Sequence, residues 1–387
     1  MTTADAAVPA GQTRTWRAPG RVNLIGEHTD YNDGFALPLA ITQGCTATVT
    51  VRADADLHVR SAQADDVTAV ALGELSPDAV EGWAAYVAGV VWALQRRGVD
   101  LPGLDVAVDG DVPLGAGLSS SAALSCSVVT ALNDLLGLGL SAADEVAVAR
   151  TAENDFVGAP TGGMDQLASI RGAAGHVLLC DMRSLDTRAV PMDLDTAGLA
   201  LLVTDTQAPH RNADGEYRER RQSCERAAAL LGVTTLRGVQ DDDHTAVLDR
   251  LRTAAAADAE ADADLLVRRA RHILTENDRV LKVVARLDDG DVPGIGPLLT
   301  ASHASMRDDF EITVPEVDTA VEAALSAGAL GARMTGGGFG GCVIALIATE
   351  LADPVTTAIA DAFAAQNFTA PKSFLAVPSA GAHRLSS

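Results

Sequence analysis

Pro113–Ala122 reads PLGAGLSSSA, and its flanks decide what it is. Upstream, Leu104–Val108 alternates in the manner of a strand. Downstream, Ala122–Leu136 has apolar residues at helical spacing, and Ser119–Ser121 form a natural N-cap cluster. The junction therefore runs strand, glycine loop, helix. Glycines 115 and 117 let backbone N–H groups approach a ligand closely. The free N–H groups of a starting helix favour an anion. Three serines add hydroxyls for phosphate oxygen or a metal ion. An ordinary glycine turn with a serine cap is the plainer interpretation, but the triplet opening a long helix favours phosphate binding. This is not a Walker A loop, because the chain has no Gly-Lys pair.

Outward from that junction, strands are expected at Thr46–Arg52 (TATVTVR), Leu57–Ser61, Val177–Leu179 and Leu199–Thr204. Ser141 caps a helix expected to run to about Phe156. The second half is richer in helix, most clearly at Glu216–Leu231, Ala263–Leu287 and Val317–Ala327. Ala332–Met334 and Cys342–Ala348 read as strands on either side of a glycine run, followed by a helix at Pro354–Phe363 and a strand at Phe374–Val377. No fixed-period repeat is evident. Mixed elements without a regular βαβ rhythm indicate an α+β protein. A length of 387 residues suits two domains, and the boundary is expected at 190/191. About the first ten residues read as a loose tail, and Ala254–Asp264 (AAAADAEADAD) as a low-complexity surface segment.

Composition narrows the function. The chain is 48% hydrophobic, enough for a core. The longest apolar runs are far short of the ~18–20 residues of a membrane helix, and the N-terminus does not look like a secretory signal. A soluble cytoplasmic protein is expected. The net charge of −23 repels nucleic acid and anionic lipid, so an anionic ligand must be caught locally. Five scattered cysteines without a CxxC pair argue against a disulfide framework or a zinc site.

Four further segments carry chemistry. Pro19–Asp33 (PGRVNLIGEHTDYND) is dense in hydrogen-bonding groups and suits a ligand covered in hydroxyls; Glu27, His28 and Asp30 could alternatively bind a metal. In Glu153–Gln166 (ENDFVGAPTGGMDQ), Asp165 follows a glycine turn, where an acid is placed to act as a general base. Glu153 could hold magnesium or simply face water. Thr335–Cys342 (TGGGFGGC) formally contains G-x-G-x-x-G, but its place near the C-terminus excludes a dinucleotide unit. It is either a glycine-rich hairpin or a backbone wall beside a ligand. In Gly215–Arg221 (GEYRERR), Tyr217 can point into a cleft. His303 with Arg307–Asp309 reads as a structural polar network.

Taken together, these segments resemble the galactokinase family of the GHMP superfamily of sugar and small-metabolite kinases. Gly20–Ile41 resembles the family signature, PLGAGLSSSA the nucleotide motif, GGMDQ the catalytic-aspartate motif, GEYRERR the sugar-contacting tyrosine segment and ARMTGGGFGGC the C-terminal glycine motif. The resemblance covers about Thr15 to Val377, with departures at Thr161, where a cysteine is common, and in Asp205–Asn212 (DTQAPHRN), where no expected catalytic residue lies. It implies a two-domain GHMP-kinase-like fold with the active site in the interdomain cleft, binding ATP, Mg²⁺ and D-galactose. It implies catalytic roles for Asp165 and Arg21, and sugar contacts from Arg21, Glu27, His28, Thr29, Asp30, Gly162, Asp165 and Tyr217. Asp30 would read the fourth carbon of the sugar. ATP would bind Gly115, Ala116, Gly117, Leu118, Ser119, Ser120 and Ser121, and Mg²⁺ would bind Ser121 and Glu153. A monomer or weak homo-oligomer is expected. The rivals are an N-acetylgalactosamine kinase and a non-catalytic sugar sensor; the intact Ser121–Ala122 pair, Arg21 and Asp165 favour an enzyme.

Overall fold

A computed structural model describes residues 8–113, 115–159, 161–209, 213–259 and 261–385. Most of the expected N-terminal tail, Leu114 of the glycine loop, Pro160 of the catalytic-turn segment and Glu260 of the low-complexity segment lie outside the described residues.

The first sheet is built on two long strands, β1 (Thr13–Asn23) and β3 (Pro38–Val51). Between them lies the two-residue β2 (Phe35–Ala36). Then come β4 (Asp56–Ser61), β5 (Val67–Ala71) and β6 (Leu104–Gly110). Helices α1 (Ala84–Arg96), α2 (Ser120–Leu136), α3 (Ala142–Thr151) and α4 (Met164–Arg171) cover it, with α2 and α4 packed on β1 and β3. Strands β7 (His176–Asp181) and β8 (Asp186–Pro191) form a small antiparallel sheet with β2.

The third sheet holds β9 (Leu199–Asp205), β10 (Gly331–Thr335), β11 (Cys342–Ala348) and β12 (Lys372–Ala376) in the order β10-β11-β9-β12. Every residue of β9 is buried, because both faces are covered. Leu201, Val203, Ile344 and Leu346 join the core under the first sheet. Leu202, Val343, Ala345 and Ile347 point the other way, into a second core. That core lies among α5 (Ala213–Leu230), α6 (His244–Ala256), α7 (Ala263–Asp288), α9 (Pro315–Ser326) and α10 (Ala352–Gln366), with α8 (Gly296–Ser305) beside β10. Helix α7 straddles both cores, with Leu266, Val267 and Ile273 in the second and Val280, Val283 and Val284 in the first. The chain then returns to the first sheet, where β13 (His383–Arg384) pairs with β1.

Expected and observed elements differ most where tertiary contacts override local pattern. The strand expected at Thr46–Arg52 is the second half of a 14-residue strand. The helix begun by Ser141, a capping box with Asp144, becomes a π-helical turn over Ala152–Val157. Among the described residues, no helix is long and apolar enough to cross a membrane. All five cysteines are free and buried.

Candidate active site

The site begins on β1. At Gly20 this strand passes so close to the glycine loop that a Cβ would sit 2.6 Å from the Leu118 carbonyl oxygen. The next residue, Arg21, donates its backbone N–H to that same oxygen at 3.1 Å. Strand and loop are thus fastened together. The Arg21 side chain then bridges two segments. Its Nη1 donates to Gly117 O at 2.5 Å, and its Nε donates to Asp165 Oδ1 at 2.8 Å. The Ser119 hydroxyl donates to the other Asp165 oxygen at 2.5 Å.

Ser119 occupies the N-cap position of α2 with φ of 59°, a left-handed conformation that is strained for a non-glycine residue. Its hydroxyl serves Asp165 and makes no cap bond, so α2 starts without a side-chain cap. A helix start of that kind is an anion site.

Arg21, Asn23, Glu27, His28, Asp30, Gly162, Asp165, Tyr217, Gly336 and Gly337 surround one polar cavity of about 190 Å³. That is smaller than the ~300–1,000 Å³ of drug-sized pockets, and suits a compact polar ligand. Asp30 faces it. Burial, reinforced by the nearby Asp165 charge, pushes the Asp30 carboxyl up to about 6, still ionised at neutral pH. Gly162 has to be glycine, because a Cβ there would overlap the Asp30 carboxylate.

His28 is neutral. Burial foremost, then the neighbouring His272, pulls it down to about 3. Its Nε2 lies 3.1 Å from Gly337 O and can only donate there, so Nδ1 accepts from the Tyr31 hydroxyl at 2.7 Å. The Tyr217 ring stacks beside it, 5.0 Å between centroids.

Glu27 is buried, and both of its oxygens are engaged, one by the Gly336 N–H at 3.1 Å and the other by Arg333. Arg333 also lies 3.6 Å from Glu276 on α7. From the same helix face, Glu276 accepts from Gly26 N–H at 3.0 Å, and His272 Nε2 sits 3.2 Å from Glu27 O. Helix α7 therefore holds the 26–28 turn from the far side. Thr29 is off the cavity: its hydroxyl faces the backbone oxygens of Gly26 and Phe35 at 2.8 and 2.7 Å and ties the turn together.

The glycine run is a hairpin whose backbone also lines the cavity. Residues 336–341 form the tip of the β10–β11 hairpin, and Gly336 and Gly337 wall the cavity. A Cβ on Gly336 would lie 3.1 Å from Gly117 O, so the tip also abuts the glycine loop that precedes α2. The His303 segment stands apart, with His303 Nε2 3.2 Å from Asp318 and Asp309 bonded to Arg271 at 2.8 Å.

Glu153 is buried on the π-helical turn. Burial, then the Asp165 charge, pushes it up to about 8. Gln166 Nε2 donates to its Oε2 at 2.9 Å, while its Oε1 has no hydrogen-bond partner among the described residues. Without a cation the group is a neutral acid at pH 7. Its unmet buried oxygen, close to the Ser121 hydroxyl, fits a hard cation such as Mg²⁺ whose charge would ionise it, and such a cation needs only one or two protein oxygens when phosphates supply others. Among the described residues, no group of three His, Cys, Asp or Glu side chains forms a closed metal cage.

Sequence reasoning missed two features. Asn23 lines the cavity; its i, i+2 relation to Arg21 on one strand was the available signal. A second cavity of about 210 Å³, mainly apolar, lies beside the start of α2 between Trp83, Val112, Ser120, Leu124 and Cys45. These residues come from four separate parts of the chain, with only Ser120 and Leu124 sharing a helix, and no local pattern joins them.

Comparison with known proteins bears on this geometry. Residues 8–51 match the galactokinase galactose-binding signature, residues 85–173 the GHMP kinases N terminal domain and residues 282–365 the GHMP kinases C terminal domain. A galactokinase of Streptomyces coelicolor is 50% identical over 96% of this chain and 94% of its own. One from Haemophilus influenzae is 44% identical over 89% of this chain and 88% of its own. The crystal structure of Lactococcus lactis galactokinase complexed with galactose superposes with a TM-score of 0.88, at 32% identity over 97% of this chain and 95% of its own. The mevalonate kinase of Methanococcus jannaschii shares the fold, with a TM-score of 0.65 at 16% identity over 95% of this chain and 98% of its own.

Proposed function

The chain belongs to the galactokinase family of the GHMP kinases, and on that premise we propose how its residues carry out ATP-dependent phosphorylation of the anomeric hydroxyl of D-galactose. The observation that carries the assignment is the Asp165 carboxylate, held between Arg21 and Ser119 where the polar cavity meets the glycine loop.

Galactose fills the polar cavity, its hydroxyls meeting Asp30, Tyr217, the remaining lone pairs of Glu27 and the Gly162 backbone, while His28, with both ring nitrogens engaged, contributes a wall of the cavity. Thr29 contributes indirectly, by holding the turn. The anomeric hydroxyl lies against Asp165, which takes its proton as the oxygen bonds to the γ-phosphorus and the bond to the β-phosphate oxygen breaks, releasing ADP. Arg21 lowers the energy of negative charge on the attacking oxygen. The N–H groups of residues 115–121 hold the phosphates, and the apolar cavity beside Trp83 takes the adenine ring. Phosphoryl transfer needs this positioning and charge neutralisation more than covalent chemistry. Mg²⁺ supplies positive charge to the phosphates, and Ser121 and Glu153 would hold it. We divide the chain at 190/191, so the cavity draws Arg21 and Asp165 from one half and Tyr217 and Gly336 from the other.

The experiment is ³¹P NMR of a reaction with galactose, ATP and Mg²⁺: galactose 1-phosphate is the expected product, and phosphate on any other oxygen would refute the placement of the anomeric carbon. Glu153→Ala should raise the Mg²⁺ concentration giving half-maximal rate by about ten-fold or more while leaving the galactose KM near wild type. Calorimetric titration of Mg²⁺ into the ATP-loaded variant should show the same weakening. Unchanged magnesium dependence would make Glu153 an ordinary buried acid.

A further inference from the structure

Asn23 is fully buried, and its position is fixed from both sides. Its backbone N–H donates to Thr335 Oγ1 at 3.1 Å, and its carbonyl accepts from that same hydroxyl at 2.8 Å. Alternation along β1 puts its side chain on the same face as Arg21, and both line the cavity. Yet among the described residues neither Oδ1 nor Nδ2 of Asn23 has a hydrogen-bond partner. A buried amide without partners carries a desolvation penalty that a leucine of similar size would avoid. Exchanging its oxygen and nitrogen would change nothing, since both ends are unmet. Both atoms are closed off from solvent, so the position offers one donor group and one acceptor to an occupant of the cavity once the wall around it shifts slightly.

A sugar hydroxyl is the complement, because it donates and accepts at once. A transferring phosphoryl group offers acceptors only and would leave Oδ1 unmet. We propose that Asn23 is a direct contact to the bound sugar, its amide bonding galactose hydroxyls beside Arg21. The inference rests on the reading that galactose fills this cavity.

The test is calorimetric binding of D-galactose without nucleotide to wild-type protein, Asn23→Ala and Asn23→Leu, with ATP binding measured in parallel. Both variants should bind galactose about ten-fold or more weakly, the scale expected when a site loses a hydrogen bond built for a substrate hydroxyl. ATP affinity should stay unchanged, and the thermal midpoint of Asn23→Leu should equal or exceed that of wild type. A smaller loss of galactose affinity overturns the proposal, as does a fall in kcat with galactose binding intact. Wild-type protein that fails to bind galactose refutes the cavity assignment itself, and the inference with it. Should neither variant fold, the Asn23 side-chain amide resonance in ¹⁵N-labelled wild type decides: it should move on adding galactose, and a stationary resonance overturns the contact.

Discussion

Asp165→Asn should lose ~10²–10⁴ or more in kcat while remaining folded, the usual range for removing a positioned base. The amide keeps the carboxylate's shape but can no longer take a proton. It also turns one of the two acceptors serving Arg21 and Ser119 into a donor. Folding should survive, because Asp165 is partly exposed and its charge opposes two neighbours, Asp30 and Glu153, which burial already holds above their ordinary range and which it pushes further up. Removing that charge should let both carboxyls ionise more readily. Circular dichroism and a thermal melt establish folding, and single-turnover kinetics isolate the chemical step. Near-normal turnover in a folded variant would remove Asp165 from the mechanism.

Arg333→Met should destabilise the protein by about 3–5 kcal/mol, the scale of breaking a buried ion pair by deleting one partner. Arg333 is completely buried and serves Glu27, Glu276 and the Leu24 carbonyl, the last at 2.9 Å. Methionine fills much of the volume but leaves Glu27 with only the Gly336 N–H. Glu276 keeps its contact to Arg279 at 2.7 Å, so the penalty falls mainly on Glu27. Replacing Glu27 as well, in Glu27→Gln/Arg333→Met, should recover part of the stability, since no buried charge is then left alone. Urea unfolding of the single and double variants measures both. A single variant within 1 kcal/mol of wild type would mean that water or a rearranged side chain replaces the arginine.

What the sequence made legible was local. The glycine loop opening α2, the acid after Gly162–Gly163 and the polar run from Arg21 to Asp30 each announce themselves within a dozen residues, because phosphate loops and tight turns require particular residue types at short spacing. The supporting contacts are distant. Asn23 meets Thr335 and Arg333 meets Glu27 across some 300 positions, and the α7 residues that brace the 26–28 turn sit on a helix whose amphipathic pattern indicates only burial. Thr29 shows the converse. It lies inside the most polar stretch, yet its hydroxyl is turned to the backbone, which spacing alone could not reveal. The first strand was partly hidden as well, because Pro19 and Gly20 interrupt its pattern, and the register shift there is what brings Arg21 to the loop.

The proposed selection of galactose rests on Asp30, whose ionised carboxylate faces the cavity and is packed against Gly162. Inverting the fourth carbon, as glucose does, should leave that carboxylate without its donor. The decisive measurement is kcat/KM for galactose and glucose with wild-type protein and Asp30→Ala. Wild type should favour galactose by ~10²–10⁴, and the variant should lose galactose activity and narrow the ratio, because the acceptor whose loss penalises glucose is gone. A variant with weakened galactose turnover but an unchanged ratio would contradict this, leaving Asp30 to hold the loop while other groups read the sugar.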